Sequence, residues 1–415
     1  MTLKEKREQI ERRKILKSEL EKKKNSYRIL ETAKRGRIDP CKRVLTSEEI
    51  GQQLDVGTKS RAYSLSLDDG PYSARYTPSG DALLCIGRTS VAGVNTQTLR
   101  EIFDREMEDA IHDGVFLHRE SFFALAQSKC VYIYDKTGVE VHALREHIGA
   151  KKLTYLQDHF LLGTLSGKGV LRYQDTTVGK LVSEIETKER DAEMCQDRTN
   201  GVIYLTGRSG HVSLWSPRSA EYLAKVLCHK VKVAHLKVGD SGSQLVTASG
   251  GSFSIWDARN MFAPVKTVQV PGVIGSLDVS QTGQIAIGRR NLVEVYSSEG
   301  KPVQTHYLGG ARGRSLSFMP YEDILTIGTE NGIENIVVPG AGLETYRRNE
   351  NPKLSKRERK NVEVRRMLEK LPADMIALEN ELGTEVKEIF KEEIVPMKLE
   401  TPAGKVRRLM KLNYG

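Results

Sequence analysis

The sequence predicts an all-β chain: a seven-bladed β-propeller with helical extensions at its N- and C-terminal ends. Three observations predict it. Short β-rich segments recur in groups of four, an apolar or aromatic position returns about every forty residues, and Gly is plentiful at 36 of 415 residues, as many tight turns require. Aligned on Trp215 and Trp256, the recurring position runs Asn95, Tyr134, Tyr173, Trp215, Trp256, Tyr296 and Val337, at spacings of 39, 39, 42, 41, 40 and 41. Each four-stranded unit leaves two apolar faces that only neighbouring units can cover, so the units must close into a ring.

The first extension, residues 1–54, opens with MTLKEKREQIERRK, which lacks the apolar run of a signal peptide. Residues 2–33 contain strong helix formers and neither Pro nor Gly. They carry a thin apolar stripe at Leu3, Ile10, Leu16, Leu20, Tyr27 and Leu30, suited to lying along a groove or over phosphates. Lys34, Arg35 and Arg37 follow as a basic linker.

The propeller is expected over residues 55–342. ALLCIG (82–87), CVYIYD (130–135), FLLGTL (160–165) and VIYLTG (202–207) read as strands, and Pro78-Ser79-Gly80-Asp81, Lys136-Thr137-Gly138 and Asp240-Ser241-Gly242 as turns. SFSIWD (252–257) ends in the Trp-Asp dipeptide that names WD repeats, and only this copy has it. The histidines, His118, His159, His211 and His229 among them, show no common repeat position, so the usual buried His/Asp networks are expected to be mostly missing. LREIFDREMEDAIHD (99–113) reads as a helical interruption, and ETKERDAEMCQDRTN (186–200) as a long polar connection. The seventh unit lacks a fourth strand, and AYSLSL (62–67) is expected to supply it.

The second extension, residues 343–415, carries Arg347 and Arg348 and then a helix starting at Ser355, where Ser355 and Glu358 form an S-x-x-E capping box. Val364, Met367, Leu368 and Leu371 give the helix an apolar face to pack with, and Pro372 is expected to stop it. Lys356, Arg357, Arg359, Lys360 and Arg366 supply its basic side. A second, acidic helix is expected near 384–394, followed by a basic end with Lys405, Arg407, Arg408 and Lys411.

Charge is unevenly spread. Fourteen Lys/Arg against six acidic residues give residues 1–38 a net +8, and residues 343–415 carry +4 of the chain's +10, which leaves residues 39–342 at −2. A near-neutral ring with basic ends points to a polyanion held by the tails. The candidate RNA-binding residues are therefore Lys34, Arg35, Arg37, Arg347, Arg348, Lys356, Arg357, Arg359, Lys360, Arg366, Arg407 and Arg408.

Other chemistry fits poorly. GTLSGKG (163–169) imitates a phosphate loop but is one residue short, lacks Ser/Thr after Lys168 and precedes a strand, so it reads as a hairpin turn. GDSGS (239–243) likewise reads as a turn between strands. His142 and His147 are five residues apart with no supporting ligands, so no metal site is expected. Asp68-Asp69 and Glu392-Glu393 are explained by solvation. The five cysteines are scattered, which suits reduced thiols. No enzyme, cofactor, small-molecule substrate or membrane span is expected.

The chain resembles the nucleolar WD-repeat proteins of the small-subunit processome, a U3 small nucleolar RNA-associated family with a dedicated C-terminal domain after the propeller. The resemblance rests on CVYIYDKTGVEVHALREH (130–147), TGRSGHVSLWSP (206–217), YLAKVLCHK (222–230), SFSIWDAR (252–259) and RRNENPKLSKRERKNVEVRRMLEKLPADMIAL (347–378), and covers roughly residues 55–380. It implies a nucleolar, non-catalytic scaffold of the 90S pre-ribosome. Such a scaffold binds precursor rRNA, U3 small nucleolar RNA and other processome proteins, WD-repeat propellers included, to support early 18S-type rRNA processing. The tails read as short ones for that family. The competing expectation is a WD-repeat adaptor that presents substrates to another complex, such as a ubiquitin ligase.

Overall fold

The computed structural model describes residues 44–54, 56–343 and 355–378. Seven sheets follow one another along the chain, each built from neighbouring antiparallel strands. Blades one to six span residues 73–106, 111–144, 150–186, 194–227, 235–269 and 276–307, and blade seven spans 313–337 with one strand borrowed from upstream. The chain is a seven-bladed propeller, as the forty-residue period predicts.

The borrowed strand is Ser64–Ser66, which pairs antiparallel with the Gly332–Val337 strand (Ser64 opposite Glu334, Ser66 opposite Gly332). The segment read as the missing fourth strand therefore closes the ring. Upstream, Leu45–Thr46 adds a fifth, parallel strand to blade six beside Pro302–Tyr307. Thr46 then caps the Ser47–Gln53 helix in a capping box with Glu49. Gln304 donates to the Ser47 hydroxyl at 2.9 Å, so residues 45–47 and 64–66 line the outer edges of two adjacent blades.

Apolar side chains fill the seams between blades. Between blades one and two, Leu84, Ile86 and Val91 meet Ile111, Phe123 and Leu125, and Phe103 stacks on Phe123 with ring centroids 4.6 Å apart. Phe103 belongs to Glu101–Glu106, the outermost strand of blade one, so the helix expected over 99–113 is not there. Glu, Met and Arg favour a helix locally, but pairing with Ser90–Asn95 and burial of Phe103 override that preference. The polar connection at 186–200 likewise contains the innermost strand of blade four, Met194–Gln196. GDSGS is a hairpin turn between strands, and GTLSGKG runs from the end of the Leu161–Ser166 strand into a hairpin turn at residues 167–169, so both motifs belong to hairpins as expected.

Two buried polar networks correct the reading of the histidines. His147 is fully buried before blade three. Its Nε2 donates to the Gln174 amide oxygen (3.2 Å) and its Nδ1 accepts the Thr164 hydroxyl (2.7 Å). Before blade five, His229 Nε2 lies 2.9 Å from Thr247 Oγ1, which also accepts the Trp256 indole N–H at 3.0 Å. The two histidines are 82 residues apart, two repeats, so they do share a repeat position. Burial holds both below the ordinary imidazole range.

The innermost strands wall the central channel, and opposite charges one repeat apart join successive blades there. Arg75 reaches Asp113 at 2.8 Å, and Asp113 accepts the Leu153 N–H of blade three at 3.0 Å. Lys152 pairs with Glu193 at 3.0 Å. Lys237 pairs with Asp278 at 3.2 Å, and Asp278 accepts the Phe318 N–H of blade seven at 2.7 Å. Burial alone would raise the Glu193 carboxyl, but Lys152, His235 and Lys237 hold it below the usual range.

Candidate nucleic-acid interface

The predicted site divides between described and undescribed chain. Lys34, Arg35, Arg37, Arg347, Arg348, Arg407 and Arg408 lie outside the described residues, as do the helices expected at 2–33 and 384–394. Lys356, Arg357, Arg359, Lys360 and Arg366 fall together on one helix, Lys356–Leu368.

That helix begins as its sequence requires. Ser355 has extended backbone (φ −64°, ψ 159°), its hydroxyl accepts the Glu358 N–H at 3.3 Å, and the Glu358 carboxylate accepts the Ser355 N–H at 2.8 Å. Those hydrogen bonds keep the Glu358 carboxyl below the usual range. Arg365 and Arg366 sit in the last turn, where cations complement the helix dipole. Arg357 and Lys360 are exposed and Arg366 is half-buried.

The apolar face of the helix does not pack as expected. Val364, Met367 and Leu368 are 55%, 43% and 81% exposed. Nor does Pro372 stop the helix, which ends at Leu368 with Glu369 as its cap. Pro372 instead starts a short 3-10 turn, Ala373–Met375.

What holds the segment is the stretch after the helix. Leu371, Met375, Ile376 and Ala377 are buried. The Leu371 N–H donates to the Asp158 carbonyl at 3.0 Å, and the Ser216 hydroxyl donates to the Ile376 carbonyl. Lys370 bonds the Thr177 hydroxyl at 2.8 Å and pairs with Asp175. Burial opposes charge on Asp175, yet the Lys370 and Thr177 hydrogen bonds hold its carboxyl below the ordinary range. These partners sit in turns on one face of blades three and four.

The chain leaves the ring on the same face but the other side. Thr282 donates to the Gly340 carbonyl at 2.8 Å, and the Gly342 N–H reaches Asp323 at 3.0 Å, beneath blades six and seven. Blades three and four stand opposite blade seven in a seven-membered ring. The C-terminal segment thus exits under one side and is anchored under the other, and the basic helix comes between the two attachments in the chain order. The sequence contained the anchor as the apolar run MIAL after Pro372, but four residues are too few to show where they dock.

Among the described residues no three His, Cys, Asp or Glu side chains group as a metal would need, and no helix is long and apolar enough to cross a membrane.

Seven four-stranded blades, a Trp-Asp strand and a His–Thr–Trp network define a WD-repeat propeller protein. Residues 302–379, from the outer strand of blade six through blade seven to the anchored segment, match the BING4CT (NUC141) domain. The chain is 36% identical over 367 residues to U3 small nucleolar RNA-associated protein 7 of Saccharomyces cerevisiae, covering 81% of this chain and 65% of the relative. It is 34% identical over 379 residues to human WD repeat-containing protein 46 (88% and 60% covered), and 33% over 386 residues to the Caenorhabditis elegans protein of that name (88% and 66%). The chain spans about three fifths to two thirds of the length of these relatives. It belongs to their family, the WD-repeat proteins that carry a BING4CT domain.

Proposed function

We propose that this protein is a ribosome-biogenesis factor of the nucleolus: a non-catalytic scaffold of the small-subunit processome that holds precursor rRNA, U3 small nucleolar RNA and partner proteins, other propellers included, during early 18S-type rRNA processing. The observation that carries this reading is the 36% identity, over 81% of the chain, to a relative named for its association with U3 small nucleolar RNA. The architecture supports it. A closed ring offers loops on two faces to protein neighbours, while the basic helix at Lys356–Leu368, followed directly by the segment docked beneath blades three and four, presents Arg357 and Lys360 to solvent. Cations so placed suit phosphate contact, and Lys34, Arg35, Arg37, Arg347, Arg348, Lys356, Arg359, Arg366, Arg407 and Arg408 extend the same reading.

Affinity purification of the tagged protein at moderate salt, with sequencing of ultraviolet-crosslinked RNA, tests it. Enrichment of precursor rRNA and U3 RNA is expected, with both reduced when Arg347, Arg348, Lys356, Arg357, Arg359 and Lys360 are changed to Ala. A preparation free of RNA and holding ligase subunits instead would overturn the proposal and favour a substrate adaptor. Unchanged RNA recovery from the sextet variant would remove the C-terminal helix from the RNA interface.

A further inference from the structure

The near-neutral charge of the propeller conceals a polarised face. Consider the face formed by the turns between second and third strands and by the connections from one blade to the next. The turn of blade seven, residues 330–331, carries Glu330, but from the turn of blade four to the connection that enters blade seven these loops are residues 207–210, 228–234, 250–251, 270–275, 289–291 and 308–312. They contain Arg208, Lys230, Lys232, Arg289, Arg290 and Arg312, and no Asp or Glu. Of the six side chains, only Arg289 is ion-paired, with Glu294, and it also bonds the Pro271 carbonyl, while Arg208 and Lys232 act on Asp191 through their field alone. Arg208, Lys230, Lys232, Arg290 and Arg312 are all exposed. On the blade one to blade three side, loops 67–72, 87–89, 107–110, 128–130, 145–149 and 167–169 hold five acids (Asp68, Asp69, Glu108, Asp109 and Glu146) against Arg88, Lys129, Arg145 and Lys168.

The five cations stand on one continuous surface, because each loop is hydrogen-bonded to the next. The Gly210 carbonyl, beside Arg208, accepts the His229 N–H at 3.1 Å, next to Lys230. The Ser249 hydroxyl donates to the Lys232 carbonyl at 2.8 Å, and the Ile274 N–H to Gly250 at 2.9 Å. Arg289 bridges to Pro271, and the Gly313 N–H, following Arg312, reaches the Arg290 carbonyl at 3.2 Å. The acids bordering this arc are already occupied: Asp191 by Lys151 (2.6 Å), Glu189 by Lys225 (3.3 Å) and Glu330 by Arg314 (3.0 Å).

The surface between the cations is low. Gly250, Gly309 and Gly310 have open space where a side chain would stand, so a broad partner meets no obstruction. The six loops contain no Phe, Tyr or Trp; Tyr307, exposed at the end of the strand that enters loop 308–312, adjoins them as a single ring, not the run of platforms that successive stacked bases need. We infer that this arc is a second RNA-binding surface, on the folded ring itself, that takes the phosphate backbone of a duplex or hairpin RNA. Backbone recognition needs spaced cations and no stacking platform, whereas single-stranded RNA is held by aromatic stacking as well as charge. An acidic peptide would want a cleft for anchoring side chains; of two clefts in the described residues, one, lined by Lys151, Ser166, Asp191 and Glu193, only borders the arc at Asp191, the other is lined by Leu161, Asp175, Lys370 and Pro372, and neither is lined by the five cations. The choice of RNA over another polyanion rests on the proposed function; the arc itself does not.

The test uses the full purified chain, a fluorescent hairpin RNA and binding curves across a salt series. One variant replaces Arg208, Lys230, Lys232, Arg290 and Arg312 with Gln. A control on the same face replaces Arg88, Lys129 and Arg145. The arc variant is expected to bind about tenfold or more weakly, with the slope of log affinity against log salt falling by about 2 to 4, since each phosphate contact contributes about 0.7–0.9. The control is expected to stay within about twofold of the parent. An arc variant indistinguishable from the parent, or a control that loses as much, would overturn the inference. So would polyglutamate that binds as tightly as the hairpin and loses affinity equally in the arc variant, because the surface would then suit an acidic protein. Recovery of precursor rRNA from cells by an arc variant that has lost no hairpin affinity would sink the arc and leave the ribosomal reading in place.

Discussion

On the channel wall, Arg75 meets Asp113 and Asp113 meets the next blade's Leu153 N–H, so that a cation on one strand is answered one repeat later. On the basic arc, Arg208, Lys230, Lys232, Arg290 and Arg312 come from the other side of the same ring and stand in solvent. The residue types are alike and the surroundings differ. Charges that meet between neighbouring blades on the channel wall, largely shielded from bulk water, must be neutralised in place, and they then tie blades together. Charges on a glycine-rich rim keep their water, contribute little to the fold and remain free for a polyanion. Position relative to the ring axis, rather than charge, separates the structural role from the binding role.

The largest effect that this contrast predicts is at Asp113. Asp113→Ala would strand the buried Leu153 N–H and remove the partner of Arg75, at a cost of about 3 kcal/mol. Urea unfolding should show the midpoint falling with little change in slope. A loss below about 1 kcal/mol would mean that the wall charges are spectators like those of the rim. Next in size is the anchor beneath blades three and four. Ile376 is fully buried, and Ile376→Ala should weaken docking of residues 370–377 by about 2 kcal/mol. The loss is local, so hydrogen exchange at Leu371 and Ile376 should speed up while the blade strands keep their protection.

Much of this was legible in sequence because it repeats or is local. The forty-residue period, the hairpin turns, the closing strand at Ser64–Ser66 and the Ser355–Glu358 box all depend on neighbours in the chain or on a regular spacing. The outer strand Glu101–Glu106 was not legible, because its residues favour a helix and only pairing with blade one makes it a strand. The wall pairs did leave a signal: Lys152 and Glu193, Lys237 and Asp278 are each 41 residues apart, one repeat of opposite charge. The shared repeat position of His147 and His229 was equally visible. Of the predicted RNA-binding residues, the helix from Lys356 to Arg366 was correctly placed on one element, yet its apolar stripe is exposed because the anchor is the short run after it. The arc was hidden by averaging, since acids on one side of the ring cancel the cations of the other in any sum over residues 39–342.

A smaller effect concerns the buried imidazoles. Burial lowers the pKa of His147, His229 and His235 in the fold, whereas the unfolded chain titrates at about 6.5. Below that pH the unfolded state takes up protons that the folded state refuses, so stability is complete above about pH 6.5 and declines as the pH falls through the folded values. Melting temperatures should therefore drop between pH 7.5 and 5.5, and His147→Gln should flatten part of the slope. A parent chain with a flat profile would mean that these rings are protonated as easily in the fold as out of it.

The smallest effect is the one that most sharpens the comparison. Replacing Arg208, Lys230, Lys232, Arg290 and Arg312 with Gln removes five charges, and a sum over charges alone predicts a large change in the fold. The arc predicts almost none. None of the five side chains holds a blade seam, the links between their loops run through backbone atoms, Ser249 and Arg289, and exposed substitutions of this kind shift stability by no more than about 0.5 kcal/mol each. Relief of repulsion among like charges should even offset part of that cost, most visibly at low salt, where screening is weakest. Melting curves of parent and variant should therefore nearly coincide at moderate salt, with the variant gaining slightly as salt is lowered. A variant that melts well below its parent would show the arc cations to be wall charges in another place, each with a partner in the fold, and the division between axis and rim would fail.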